Sequence, residues 1–174
     1  TLFNILGPLT NPAHVERQVL GVFSPNLCQS IAESLSKLGT KHALVVSSAD
    51  GLDEISIAAP TAVWEMRDGV VERFQIDPND YRHGHKDLMG LGVNSAQESA
   101  DLIKSALSQV SGETAERARS MMALNAGAAI YVSGVAATLK AGIAAADEAI
   151  GSGAALDKLD TFVSFTQQLR AEAS

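Results

Sequence analysis

The residues of this chain best suited to chemistry are two adjacent carboxylates, Asp53-Glu54, preceded by Asp50-Gly51. Paired carboxylates offer oxygen ligands to a hard divalent cation such as Mg²⁺, which keeps several waters and completes its shell from a substrate phosphate. Taken alone, the dipeptide is more simply a solvated acidic turn, and its spacing does not decide. The second feature is the opening run Gly7-Pro8-Leu9-Thr10-Asn11-Pro12. Two prolines restrict the backbone around Leu9-Thr10, which suits a rigid, uncharged wall for a planar ligand. A turn between two elements explains the same residues with fewer assumptions.

The remaining reactive side chains carry less. His83-Gly84-His85 has no carboxylate or cysteine at metal-binding spacing, so zinc is a weak reading and His14, His42, His83 and His85 are expected at the surface. Gly90-Leu91-Gly92 follows no strand and lacks the third glycine of a phosphate loop. Ser47-Ser48 lacks the nucleophile-elbow pattern, and Cys28 falls early in a helix without an obvious base, so covalent catalysis has no support. Asn125, inside an apolar helical run, reads as a packing or capping hydrogen bond rather than a ligand.

These residues need elements to position them. Residues 18–24 form a short β-favouring run, and Ser24-Pro25 then sets a helix start. Ile31, Leu35 and Leu38 recur on one helical face up to Gly39. Residues 42–48 are nearly all apolar, as in a parallel strand covered on both faces. The resulting β-α-β unit puts residues 49–54 at the carboxyl end of its second strand, where open α/β sheets bind ligands. Residues 61–66 and 70–76 alternate around Arg67-Asp68-Gly69, a hairpin signal. Residues 77–94 read as a loop. From Ser95 the pattern turns helical: Ser95 and Glu98 form a capping box, with Leu102, Ile103, Ala106, Leu107 and Val110 as the apolar face. Helices follow over 114–132, 135–150 and 154–171, with Val135, Leu139, Ile143, Ala146 and Ile150 buried in the second of these. The third is expected to bury Leu156, Leu159, Phe162, Val163 and Leu169. The fold class is α/β: part of a mainly parallel sheet with a β-hairpin, flanked by helices, in a strand-containing part (1–94) and a helical part (95–174).

Composition bounds the partners. The 174 residues include 13 Lys+Arg and 20 Asp+Glu, for a net charge of −7. With 46% hydrophobic residues the chain can bury a core, and disorder is excluded. The acidic balance, and the lack of a basic cluster, argue against nucleic acid. No apolar run reaches the roughly 18 residues of a membrane span. A single cysteine excludes an internal disulfide, so the expected compartment is cytoplasmic.

Three blocks in register resemble the anthranilate phosphoribosyltransferase family: TLFNILGPLTNP at 1–12, DGLDEIS at 50–56 and LNAGAAIYVSG at 124–134. The resemblance covers the whole chain. It implies the large domain of the nucleoside phosphorylase/phosphoribosyltransferase fold. The implied activity is transfer of a phosphoribosyl group from phosphoribosyl pyrophosphate to the amine of anthranilate, with pyrophosphate leaving, in tryptophan biosynthesis. Mg²⁺ is the implied cofactor, with Asp53 and Glu54 as its ligands on the pyrophosphate. Gly7, Pro8, Asn11 and Pro12 become wall residues of the anthranilate pocket, and a homodimer is implied for the whole enzyme. The family's GTGGD and KHGNR-like phosphate loops do not occur in these 174 residues, and its Arg before Thr-Leu-Phe-Asn would fall one position before Thr1. The chain thus resembles the C-terminal half of the enzyme, and is expected to be inactive alone and to self-associate. A pyrimidine nucleoside phosphorylase relative and a non-catalytic α/β binding module are the alternatives.

Overall fold

A computed structural model describes residues 2–172. Helix α1 spans Leu2–Leu9, strand β1 Arg17–Gly21, α2 Pro25–Lys37, β2 His42–Ser48, β3 Thr61–Arg67 and β4 Val70–Ile76. A 3₁₀ turn at Pro78–Tyr81 precedes α3 (Ala96–Leu107), α4 (Glu113–Ser133), α5 (Leu139–Gly151) and α6 (Ala154–Glu172).

The strands form one sheet in the order β1-β2-β3-β4. β1 and β2 pair in parallel through the α2 crossover, Arg17 opposite His42 and Gly21 opposite Val46. β2 and β3 are antiparallel, as are β3 and β4. The α/β class stands, but the sheet is mixed rather than mainly parallel. Its physical reason is the connection after β2: residues 49–60 carry no helix, and a parallel return needs a crossover of a dozen or more residues, usually helical. The Asp68-Gly69 hairpin closes as its sequence requires, with φ of 50° and 84° at the two turn residues.

Successive β2 side chains point to opposite faces, and every residue of the strand is buried. Leu44 and Val46 join Ile55, Ile57, Val63, Leu124, Val132 and Ile143 beneath α4 and α5. Ala43 and Val45, with Trp64 and Met66 of β3 on the same face, pack against Cys28, Ile31 and Leu35 of α2. This two-sided cover is what the unbroken apolar run of β2 encodes. A smaller cluster of Leu107, Ala123 and Ile150 joins α3, α4 and α5.

Several helical expectations shift. Ser95 Oγ accepts the Glu98 N–H at 3.1 Å, but the Glu98 carboxylate reaches the Asn94 N–H instead of completing the box at Ser95. Val135 lies in the connection before α5 and is 83% exposed, and Leu38 and Val110 fall beyond the ends of α2 and α3, also exposed. In α6 no residue is buried: Leu156 and Leu159 are half-covered by the α3-α4 cluster, while Phe162, Val163 and Leu169 face outward because no described element lies over that part of the helix.

Candidate active site

The 49–60 connection is tied down at close intervals. The Ser48 N–H bonds the Leu52 carbonyl at 3.0 Å, and the Ala49 N–H bonds the Pro60 carbonyl at 3.0 Å. The Ser56 hydroxyl donates to Asp50 Oδ2 at 2.6 Å, and the Ser56 N–H donates to Thr61 Oγ1 at 3.1 Å. Desolvation works to raise the Asp50 carboxyl, but the Ser48 and Ser56 hydroxyls and the Leu52 amide outweigh it and hold the group below the ordinary carboxylate range. Asp50 is therefore a structural anion of the turn. Asp53 and Glu54 are the carboxylates left facing outward, at the carboxyl end of the parallel pair, where the strand pattern places them.

Glu54 borders a groove of about 380 Å³ whose other walls include Leu91, Leu102, Met121 and Asn125. Its carboxyl is pushed up, first by partial desolvation against that groove and then by the charge of Asp53. Two carboxylates that repel one another in a half-dry site form a donor set that a divalent cation would relieve. Among the described residues no group of three or more His, Cys, Asp or Glu could hold a metal. A cation at Asp53-Glu54 would therefore draw the rest of its shell from water and phosphate oxygens, the coordination Mg²⁺ favours.

The opening segment differs from its expectation. Gly7 and Pro8 form the last turn of α1, and only Asn11 and Pro12 lie in the following turn. Pro8 sits inside this helix one residue before its end, and the Thr10 N–H and hydroxyl both bond the Leu6 carbonyl to finish the turn. Pro8, Asn11 and Pro12 line a cleft of about 250 Å³ with Glu16, Leu35 and Thr40; Gly7 is not among its walls. This cleft opens at the amino end of β1, since the Lys41 N–H bonds the Glu16 carbonyl. The seven-residue β2 separates that level from the DGLDE turn by roughly 20 Å at about 3.3 Å per residue. The structure of this chain does not bring the two predicted groups together. Thr1, where the opening motif starts, lies outside the described residues.

Three features escaped sequence reasoning. Gly21 ends β1 directly beneath Asp53, and a Cβ there would collide with the Asp53 carbonyl. Asn125 forms its expected hydrogen bonds, but to the loop as well as to its own helix. His42 is not a surface histidine: it is buried, with Nε2 2.6 Å from Glu65 Oε1, which also accepts the Tyr131 hydroxyl at 2.6 Å. The signal for Gly21 was available as a lone glycine ending an apolar strand. Nothing in the spacing of His42, Glu65 and Tyr131 announces their meeting.

Comparison with known proteins gives this geometry a lineage. A family model described as "Glycosyl transferase family, a/b domain" matches residues 1–156. The chain belongs to this glycosyl transferase family. Among its relatives, the anthranilate phosphoribosyltransferase of Teredinibacter turnerae is 52% identical over 166 residues, which is 95% of this chain and 49% of that protein. That of Stutzerimonas stutzeri is 52% identical over 172 residues, 99% of this chain and 49% of that protein. The crystal structure of the anthranilate phosphoribosyltransferase from Thermus thermophilus matches with a TM-score of 0.81 at 36% identity, covering 96% of this chain and 48% of that one. A Saccharomyces cerevisiae structure, in complex with PRPP and Mg, matches at a TM-score of 0.77 and 27% identity, over 94% of this chain and 46% of that one. The chain spans about half the length of the curated relatives it matches. These relatives carry the transferase name, so the phosphorylase alternative within the glycosyl transferase family is not favoured. Among the described residues no helix is long and apolar enough to cross a membrane.

Proposed function

We propose that this chain forms the metal-loop part of an anthranilate phosphoribosyltransferase, with Asp53 and Glu54 as ligands of a Mg²⁺ ion on the pyrophosphate of phosphoribosyl pyrophosphate. The observation that carries the reading is the outward pair of mutually repelling carboxylates at the end of the parallel strands, in a chain 52% identical over almost its whole length to relatives of that name. In the reaction the C1–O bond to pyrophosphate breaks, the bonding pair leaves with pyrophosphate, the anthranilate nitrogen bonds C1, and the amine proton passes to solvent. When bound, Mg²⁺ neutralises charge on the departing pyrophosphate. The work of this chain is to aim two carboxylates, which Asp50, Ser56 and the strand ends do by fixing the turn before substrate arrives. Pro8, Asn11 and Pro12 line a separate cleft at the other end of the strands, roughly 20 Å away at about 3.3 Å per residue, so within this chain neither they nor Gly7 have a part in that step. Homodimer formation belongs to the whole enzyme in this reading.

Titration of the chain with Mg²⁺ in the presence of pyrophosphate, followed by calorimetry, tests the metal role. Binding that is lost in Asp53→Ala is expected, and superimposable titrations for parent and variant would overturn it. The GTGGD and KHGNR-like loops are not within these residues, so the chain alone should not turn over. Phosphoribosyl-anthranilate formation by the purified chain at a rate like that of a full-length relative would refute this.

A further inference from the structure

The backbone that carries the two carboxylates is gripped from α4. Asn125 Oδ1 accepts the Ile55 N–H at 2.9 Å, and Asn125 Nδ2 donates to the Ile55 carbonyl at 2.9 Å and to the Met121 carbonyl at 3.0 Å. Both amide donors are thereby used, and two of the three bonds hold the residue immediately after Glu54. Ile55 is fully buried, so its N–H and carbonyl have no water to turn to if Asn125 is lost. It belongs to neither strand nor helix, and the asparagine amide stands in for the ladder a strand partner would supply. From the opposite side the Asp53 carbonyl rests over Gly21, in space that only a glycine leaves open. Residues 53–55 are thus fixed between the end of β1 and the surface of α4.

We propose that Asn125 is a positioning residue for the Asp53-Glu54 pair, setting the direction in which both carboxylates leave the loop. The proposal rests on reading that pair as the metal ligands. A packing role in α4 would be met by the bond to Met121 alone; the paired bonds to Ile55 instead register the helix against the ligand loop. Outer partners that orient metal ligands typically contribute tenfold to hundredfold in affinity.

Mn²⁺, as a paramagnetic stand-in for Mg²⁺, is titrated into the chain with pyrophosphate present and read by electron paramagnetic resonance, alongside amide exchange at Ile55. In Asn125→Ala the Mn²⁺ affinity is expected to fall by about tenfold or more, with faster exchange at Ile55. Tyr131→Phe, which removes the hydrogen bond to Glu65 from a residue near the other end of the strands, should leave Mn²⁺ affinity unchanged. If Asn125→Ala does not fold, Asn125→Ser decides in its place. Parent-like affinity in the folded Asn125 variant, with binding lost in Asp53→Ala, overturns the positioning role while leaving the metal reading intact. An equal loss in Tyr131→Phe overturns it too, since the effect would then be general destabilisation. Absence of Mn²⁺ binding by the parent overturns the metal reading, and the positioning role with it.

Discussion

Glu54 shows how a half-desolvated carboxylate trades against stability. Partial desolvation and then Asp53 raise its folded pKa above the ordinary 4.5. A raised carboxylate favours folding only in acid, below its unfolded value, and that contribution is lost as pH rises through the folded value. At neutral pH the ionised Glu54 is therefore a cost, and Glu54→Gln should unfold at a higher temperature than the parent at pH 7, the gap closing on acidification; scanning calorimetry across pH 4–7 checks it. His85 has the opposite sign. Burial, then the Arg117 charge, depresses it below 6.5, and its Nε2 lies 2.9 Å from Ser120 Oγ. Unfolded His85 takes up its proton first as pH falls below 6.5, so stability should decline from there toward the folded value, and His85→Gln should flatten that slope. Cys28 is fully buried and burial pushes its thiol up to about 11, so it should resist alkylation until the chain unfolds. At this scale sequence reasoning placed Asp53 and Glu54 at the end of a strand and gave Asn125 a hydrogen-bonding role in its helix, because those depend on residue type and local turn chemistry. It missed the burial of His42, which depends on Glu65 and Tyr131 arriving from β3 and α4.

Elements meet through glycines. α4 and α5 cross where Gly127 faces Gly142: a Cβ on Gly127 would lie 2.5 Å from the Ile143 Cα, and one on Gly142 would strike the Gly127 carbonyl. Neither obstacle is the end of a flexible side chain, so the helices themselves would have to part. Gly127→Ala or Gly142→Ala should cost about 1–3 kcal/mol in urea unfolding, as overpacking does, despite the helix preference of alanine. Gly21→Ala should be felt locally as well, displacing the Asp53 carbonyl and lowering stability and, if Asp53 and Glu54 hold Mg²⁺ as proposed, the affinity for that ion. Element type was legible wherever the period was sustained, as in α2, β2 and the hairpin. Element ends were less so: Val135 reads as part of α5, yet the Thr138 hydroxyl caps that helix by accepting the Ala141 N–H at 3.1 Å, and the chain before it is not helical.

For the molecule as a whole, buried and exposed apolar residues should behave differently. Leu44→Ala, between β2 and α4-α5, should cost about 2–5 kcal/mol, whereas Phe162→Ala on α6 should cost little. The same exposure leaves Phe162, Phe165 and Leu169 available for association. The chain should become larger by light scattering as its concentration rises, and Phe162→Glu with Phe165→Glu should suppress this. A monomer at all concentrations would show that the α6 surface is inert. The sequence by itself determined the local classes: a buried β-strand from the six apolar or small residues that follow His42, a hairpin from Asp68-Gly69, helices from the 3.6-residue period, and two carboxylates at a strand end. These follow from dihedral preference and periodicity, which act within a few residues. Only the tertiary structure decided that β2 and β3 run antiparallel, that α6 lies half-bare, that Pro8–Pro12 and Asp53-Glu54 sit at opposite ends of the strands, and that Asn125 and Gly21 hold the loop from either side. Those outcomes depend on which surfaces reach one another after the chain turns, and residues 70 positions apart carry no mark of each other until they touch.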